Sequence, residues 1–118
     1  MIILIVDDNK GMRECLKREL QDGRGQHCIV LAENGREAWT FVQRLSPDLV
    51  IADINMPVMD GIELLKRIKA ACPEVPVVLI SSEPPISEAK ARELGAEALV
   101  NKEVIEIRIP ELMKKYAV

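Results

Sequence analysis

Asp48-Leu49-Val50-Ile51-Ala52-Asp53-Ile54-Asn55-Met56-Pro57-Val58-Met59-Asp60-Gly61-Ile62-Glu63 holds a complete strand-to-helix transition. Leu49 to Ala52 are apolar at every position, as in a strand covered on both faces. An acid, Asp53, ends the run, and the Pro57 segment is a loop. Asp60 and Glu63 have the spacing of a capping box. Ile62, Leu65 and Ile68 carry the helix to Cys72-Pro73.

The same alternation extends in both directions. Ile2 to Val6 is an apolar, mostly β-branched strand, followed by a helix from about Gly11 to Leu20 with Met12, Cys15, Leu16 and Leu20 near one face. Asp22-Gly23-Arg24-Gly25 is read as the stop of that helix. Cys28 to Ala32 is a second strand, Asn34-Gly35 a turn, and Ala38, Trp39, Phe41, Val42 and Leu45 a helical stripe ending at Ser46-Pro47. Downstream, Val75 to Ile80 reads as a fourth strand with Pro76 near its start. Ile86 to Leu94 is a short helix closed by Gly95, and Glu97 to Val100 a fifth strand. Pro110 to Tyr116 is read as a short last helix with Pro at its first position. Strands alternating with helices predict an α/β domain: a parallel sheet with helices on both faces.

Composition bounds the function. The chain has 118 residues, 48% hydrophobic and 30% charged, the balance of one folded domain. Its longest apolar runs, Met1 to Val6 and Val75 to Ile80, are far below the roughly 20 residues that span a bilayer. No basic stretch precedes the first run and no small-residue cleavage site follows it, so no signal peptide is expected. Sixteen basic against 19 acidic residues give a net charge of −3, which argues against direct nucleic-acid binding. Cys15, Cys28 and Cys72 lack paired spacing and read as reduced thiols of a cytoplasmic protein. His27 alone cannot make a typical zinc site with scattered cysteines.

In an open parallel sheet, ligands bind beyond the carboxyl ends of the strands. That edge receives Asp7 and Asp8 after the first strand, Asp53 after the third, Ser81 and Ser82 after the fourth and Lys102 after the fifth. Each has a plainer reading alone: a helix cap, a turn residue, a strand-end turn, a solvated lysine. Together, three carboxylates and one ammonium leave two negative charges uncompensated, a costly arrangement unless a cation or protons join it. The donors are all oxygen, which suits magnesium. A carboxylate beside such a cation can attack phosphorus and become an aspartyl phosphate.

These residues resemble the response-regulator receiver domain of two-component signalling, of the chemotaxis-regulator kind. Ile3-Leu4-Ile5-Val6-Asp7-Asp8-Asn9 is similar to the family's acidic opening. Asp53-Ile54-Asn55-Met56-Pro57-Val58-Met59-Asp60-Gly61 is similar to its phosphorylation signature. Val75 to Ser82 resembles its fourth strand with the switch hydroxyl, and Gly95-Ala96 followed by Lys102 the approach to its lysine. The resemblance covers residues 1–102 and implies a flavodoxin-like fold, strand order 2-1-3-4-5, in a single receiver domain over 1–118.

The resemblance also implies roles. Asp53 is the phosphoacceptor. Asp8, Asp53 and the backbone carbonyl of Asn55 ligate Mg2+, with Asp7 helping through water. Lys102 pairs with Asp53 and then with the phosphoryl oxygens. Ser81 reaches the phosphoryl group in the active state, with Ser82 as a rival shifted by one residue. Asn55 and Glu83 tune the loss of the phosphoryl group to water. The implied donor is a sensor histidine kinase or a phosphotransfer protein. The implied output is a downstream protein or a fused domain, and a homodimer is allowed. No other substrate is implied; the domain turns over only its own phosphoryl group.

The chain departs from the pattern in places. Leu99 stands where the family carries an aromatic switch residue. Glu103 replaces the proline after the lysine, so a trans bond is expected there. Ile105, Ile107 and Ile109 alternate with Glu106 and Arg108, a strand-like period that delays and shortens the last helix. Pro84-Pro85 predicts a short fourth helix. The expectation is retained phosphochemistry with an unusual output surface. Two rivals remain: a phosphohydrolase, opposed by Asn55 where a second acid is common, and a binding module that acts without phosphorylation.

Overall fold

The computed structural model describes residues 1–21 and 27–116. The elements follow the alternation: β1 (Ile2–Val6), α1 (Lys10–Leu20), β2 (Cys28–Ala32), α2 (Gly35–Leu45), β3 (Leu49–Asp53), α3 (Gly61–Ala71), β4 (Val77–Ser81), α4 (Glu88–Glu93), β5 (Ala98–Asn101) and α5 (Ile105–Tyr116). The strands form one parallel sheet in the order β2-β1-β3-β4-β5. Register places Ile5 beside Ile51, Ile51 beside Val78 and Ser81 beside Asn101. The acids, the hydroxyl and the lysine therefore share one edge, as the flavodoxin-like reading requires.

The uninterrupted apolar strands are explained by two separate cores. Leu4, Val6, Val50, Ala52, Val77 and Leu79 point to one face, where Ala38, Val42, Leu64, Leu65 and Ile68 pack. Ile3, Ile5, Leu49, Ile51, Val78 and Ile80 point to the other, against Leu16, Leu20, Ile105 and Ile109. Because side chains alternate along a strand, each strand feeds both layers and can carry no polar residue within its span. Polar chemistry is displaced to the strand ends.

Several local readings change. Asn34 is not part of a free turn; its side chain accepts from the Glu37 amide at 2.9 Å and caps α2. The Asp60 carboxylate accepts from the Glu63 amide at 2.8 Å, but Glu63 turns to Arg67 at 3.4 Å, so the capping box is half made. β4 runs two residues later at its start than its apolar run, because Pro76 has no amide to donate. The Asp22–Gly25 stop lies outside the described residues; Gln21 caps α1, its amide bonded to the Lys17 carbonyl.

The larger correction concerns the last helix. Val104 to Ile109 do not form a strand, and the helix is neither delayed nor short. A 3-10 turn over Lys102–Val104 leads directly into the 12 residues of α5. Ile105 and Ile109 stand one helical turn apart and are both buried, while Ile107 is 67% exposed. Leu112 and Met113 continue the buried stripe. Three isoleucines at alternate positions therefore serve a helix, two facing the core and one facing solvent. Pro110 does not open α5 but lies inside it. It removes a donor to the Glu106 carbonyl, which an exposed face tolerates better than a core-facing one. With α5 of ordinary length, the expected distortion of the output surface is withdrawn on that side. The short fourth helix stands, at six residues. The Lys102–Glu103 bond is trans.

Candidate functional site

Asp7 follows β1 and is fully buried, while Asp8 is exposed. The amide, Oδ1 and carbonyl of Asp7 are hydrogen-bonded, but its Oδ2 is not. Its amide donates to Ala32 at 3.1 Å, its Oδ1 accepts from the Asn9 amide at 2.9 Å and its carbonyl accepts from Arg13 Nη1 at 2.8 Å. Its Oδ2 lies 2.8 Å from Lys102 Nζ, in a contact too poorly aligned for a hydrogen bond. Asn9 meanwhile accepts from the Met12 amide and caps α1.

Asp53 ends β3 and is 3% exposed. Its Oδ2 accepts from Lys102 Nζ at 3.1 Å and its Oδ1 from the Asn55 amide at 3.1 Å. One ammonium thus serves two buried carboxylates. Oxygens of Asp7, Asp8 and Asp53 lie within 4.8 Å of one another. Ser81 is fully buried at the end of β4, and its Oγ accepts from Asn55 Nδ2 at 3.3 Å. Ser82 and Glu83 lie just beyond and are exposed.

The electrostatics follow from this crowding. Burial and the neighbouring charge of Asp7 raise the Asp53 carboxyl above its ordinary range, against the opposing pull of Lys102 and the Asn55 amide. Burial pulls the Lys102 ammonium down, but the close charged contacts with Asp7 and Asp53 outweigh it and hold the pKa above its ordinary value. The two directions are compatible. Lys102 has two acids to itself, whereas Asp53 must share one lysine with another acid. The cluster is short of positive charge. A buried carboxylate oxygen without a hydrogen bond, an exposed acid at the mouth and an all-oxygen donor set fit a hard divalent cation such as Mg2+.

The loop after Asp53 is held by close backbone approaches. A Cβ added at Gly61 would overlap the Asp53 carbonyl oxygen and stand 2.9 Å from its carbon. Val58 has φ 71°, with the Met59 amide bonded to the Pro57 carbonyl at 2.8 Å across it. Such a conformation costs a β-branched residue about 1–3 kcal/mol. Gly61→Ala is expected to lower stability by about 1–3 kcal/mol, because the obstacle is backbone and cannot turn aside. Chemical denaturation checks this; unchanged stability would mean that the Asp53 backbone is free to move.

Sequence reasoning brought Asp7, Asp8, Asp53, Asn55, Ser81 and Lys102 to this edge, and the structure gathers all six. Leu99 lies apart, buried on β5, its amide donating to Glu88 Oε2 at 3.1 Å. Arg108 Nη2 reaches the same oxygen at 3.3 Å, joining α4, β5 and α5. Arg13 lies outside the apolar face of its helix and carries no sequence signal of a role at this edge. Its tie to Asp7 joins residues six apart across a strand end and a helix, which no periodicity displays.

The sequence model of the response regulator receiver domain matches residues 3–115. A curated protein-glutamate methylesterase/protein-glutamine glutaminase of Caldanaerobacter subterraneus is 41% identical over 102 residues, 85% of this chain. The chain spans 28% of that relative's length and a third or less of two similar curated proteins. Response regulator protein TrrA of Thermotoga maritima, solved in complex with Mg2+ and BeF, superposes with a TM-score of 0.84 at 32% identity, over 97% of this chain and 96% of that one. The response regulator domain of CheB from the same organism gives 0.80 at 30% identity, over 98% and 92%. Among the described residues, no helix is long and apolar enough to cross a membrane. Fold, acid cluster and family match agree: the chain belongs to the response regulator receiver domains, the phosphoaccepting switches of two-component signalling.

Proposed function

We propose that Asp53 is the phosphoacceptor and that residues 1–118 act as a single receiver domain. The observation that carries this reading is the sharing of Lys102 between two buried acids, with Asp53 the one that also faces Ser81 through Asn55. An Asp53 carboxylate oxygen attacks the phosphorus of a phosphohistidine. A P–O bond forms, the P–N bond breaks, and its electron pair leaves with the imidazole nitrogen. Asp8, Asp53 and the backbone carbonyl of Asn55 would hold Mg2+, with Asp7 acting through water; the ion when bound supplies charge neutralisation at the phosphoryl oxygens. Lys102 pairs with those oxygens. Ser81 moves toward them from its bond to Asn55, drawing the end of β4 with it. Asn55 and Glu83 set how readily water reaches the phosphoryl group.

The donor is a histidine kinase or phosphotransfer protein of the cytoplasm, as family membership implies. The output is read by a downstream protein, a fused domain or a second copy of the chain. Leu99 modulates that output: it lines the groove shared by Ile86, Val104 and Arg108, and no ring is available to swing there. Incubation with Mg2+ and acetyl phosphate, followed by intact mass and peptide mapping, tests the assignment. One phosphoryl group on the peptide holding Asp53 is expected. No uptake in protein that binds Mg2+, or uptake on another peptide, overturns it.

A further inference from the structure

We infer that Arg13 is a positioning residue for the cation site, acting through the peptide bond between Asp7 and Asp8. The inference rests on the reading of Asp8 as a metal ligand. Asp8 is exposed, and among the described residues its side chain has no hydrogen bond or ion pair to fix it, so its direction depends on the backbone that carries it. That backbone is held on the strand side by the Asp7 amide bond to Ala32 and by the Asn9 amide bond to Asp7 Oδ1. The Asp7 carbonyl, half of the peptide unit leading into Asp8, is held by Arg13 Nη1 at 2.8 Å.

The Arg13 side chain is only 12% exposed although it stands on the first turns of α1, and its Nη2 lies 3.9 Å from the exposed carboxylate of Glu33. A half-buried guanidinium bonded to a backbone carbonyl and loosely paired outward is built to hold, not to bind. It is planar and presents its donors in a fixed fork, which limits rotation of the peptide it grips. It also brings a positive charge to the rim of a cluster that Lys102 alone does not neutralise. Outer-shell groups of this type change metal affinity by about 10–100-fold when removed.

The test is calorimetric titration with Mg2+ of the full chain, Arg13→Met, Arg13→Lys and Asp8→Asn, with a thermal melt of each. Methionine keeps the apolar stem and removes the donors. Arg13→Met is expected to weaken Mg2+ binding about tenfold or more. Arg13→Lys should recover part of the loss, because an ammonium can still donate one bond to the same carbonyl. Asp8→Asn should lose binding more severely than either. Parent-like affinity in Arg13→Met overturns the inference. So does a loss shared equally by Arg13→Lys and Arg13→Met that merely follows their melting temperatures. A parent that binds no Mg2+, or an Asp8→Asn variant that binds as the parent does, overturns instead the reading of the site on which the inference rests.

Discussion

Asp53→Asn is expected to abolish phosphoryl uptake from acetyl phosphate and, in the absence of divalent cations, to make the protein more stable. The first effect follows from chemistry: an amide oxygen is a far poorer nucleophile toward phosphorus than a carboxylate. The second follows from charge. Asp53 is buried beside Asp7 and shares its lysine, and its carboxyl is raised in pKa first by burial and then by Asp7. A group whose folded-state pKa is raised binds its proton more tightly in the folded protein. Stability is therefore highest with the proton on and falls as pH rises through that pKa. Above that pKa the ionised Asp53 is a liability that asparagine removes. The asparagine side-chain oxygen can still accept from the Asn55 amide, as Asp53 does now at 3.1 Å. A gain of roughly 1 kcal/mol, about 4 °C in Tm, is the expected scale for a domain of this size. The parent should also lose stability more steeply than the variant as pH rises above the ordinary carboxylate range. Saturating Mg2+ should narrow the gap, because the parent keeps the fuller ligand set. Thermal melts at several pH values, with and without Mg2+, check all of this. A variant less stable than the metal-free parent would show that Asp53 is held by Lys102 more strongly than it is repelled by Asp7.

The legible parts of this fold were those written in burial. The runs ending at Val6 and Ala52 are strands covered twice, and the acid that follows such a run has few places to go except the sheet edge. That is why Asp7, Asp53 and Lys102 were found from spacing although 49 residues separate the last two. What failed was the segment from Val104 to Ile109. Three isoleucines at alternate positions satisfy a strand pattern, but a helix needs only two of them for its stripe, and Ile105 and Ile109 have helical spacing. Leu112 and Met113 decided the matter, and they lie beyond a proline that suggested a boundary. Asn34 failed for a related reason: Asn-Gly signals a turn, yet the same asparagine side chain caps a helix equally well. Arg13 and Gly61 were illegible because both act on backbone, and the spacing of side chains carries no trace of a carbonyl lying against them.

Lys102→Met should cost more stability than any other single change at the site. Its Nζ stands 2.8 Å from Asp7 and 3.1 Å from Asp53, with 13% of the side chain exposed. Removing it leaves two buried carboxylates facing one another. Breaking a buried pair costs about 3–5 kcal/mol when the orphaned charge is enclosed. Here Asp8 opens the cluster to solvent, so about 2–3 kcal/mol is the expected loss at neutral pH. The loss should shrink on acidification, because protons can replace the lysine between the acids. It should also shrink with Mg2+, which can take over part of the neutralisation that Lys102 provides. Phosphoryl uptake should not recover with stability. Lys102 offers a donor to the phosphoryl oxygens from a fixed position, and removing one such donor costs about 100–1,000-fold in rate. Measured at saturating Mg2+, where the variant is folded, labelling by acetyl phosphate should therefore remain slow. Chemical denaturation at two pH values and a labelling time course separate the two contributions. A variant that regains both stability and rate with Mg2+ would show that Lys102 is a counter-ion for the resting acids and nothing more.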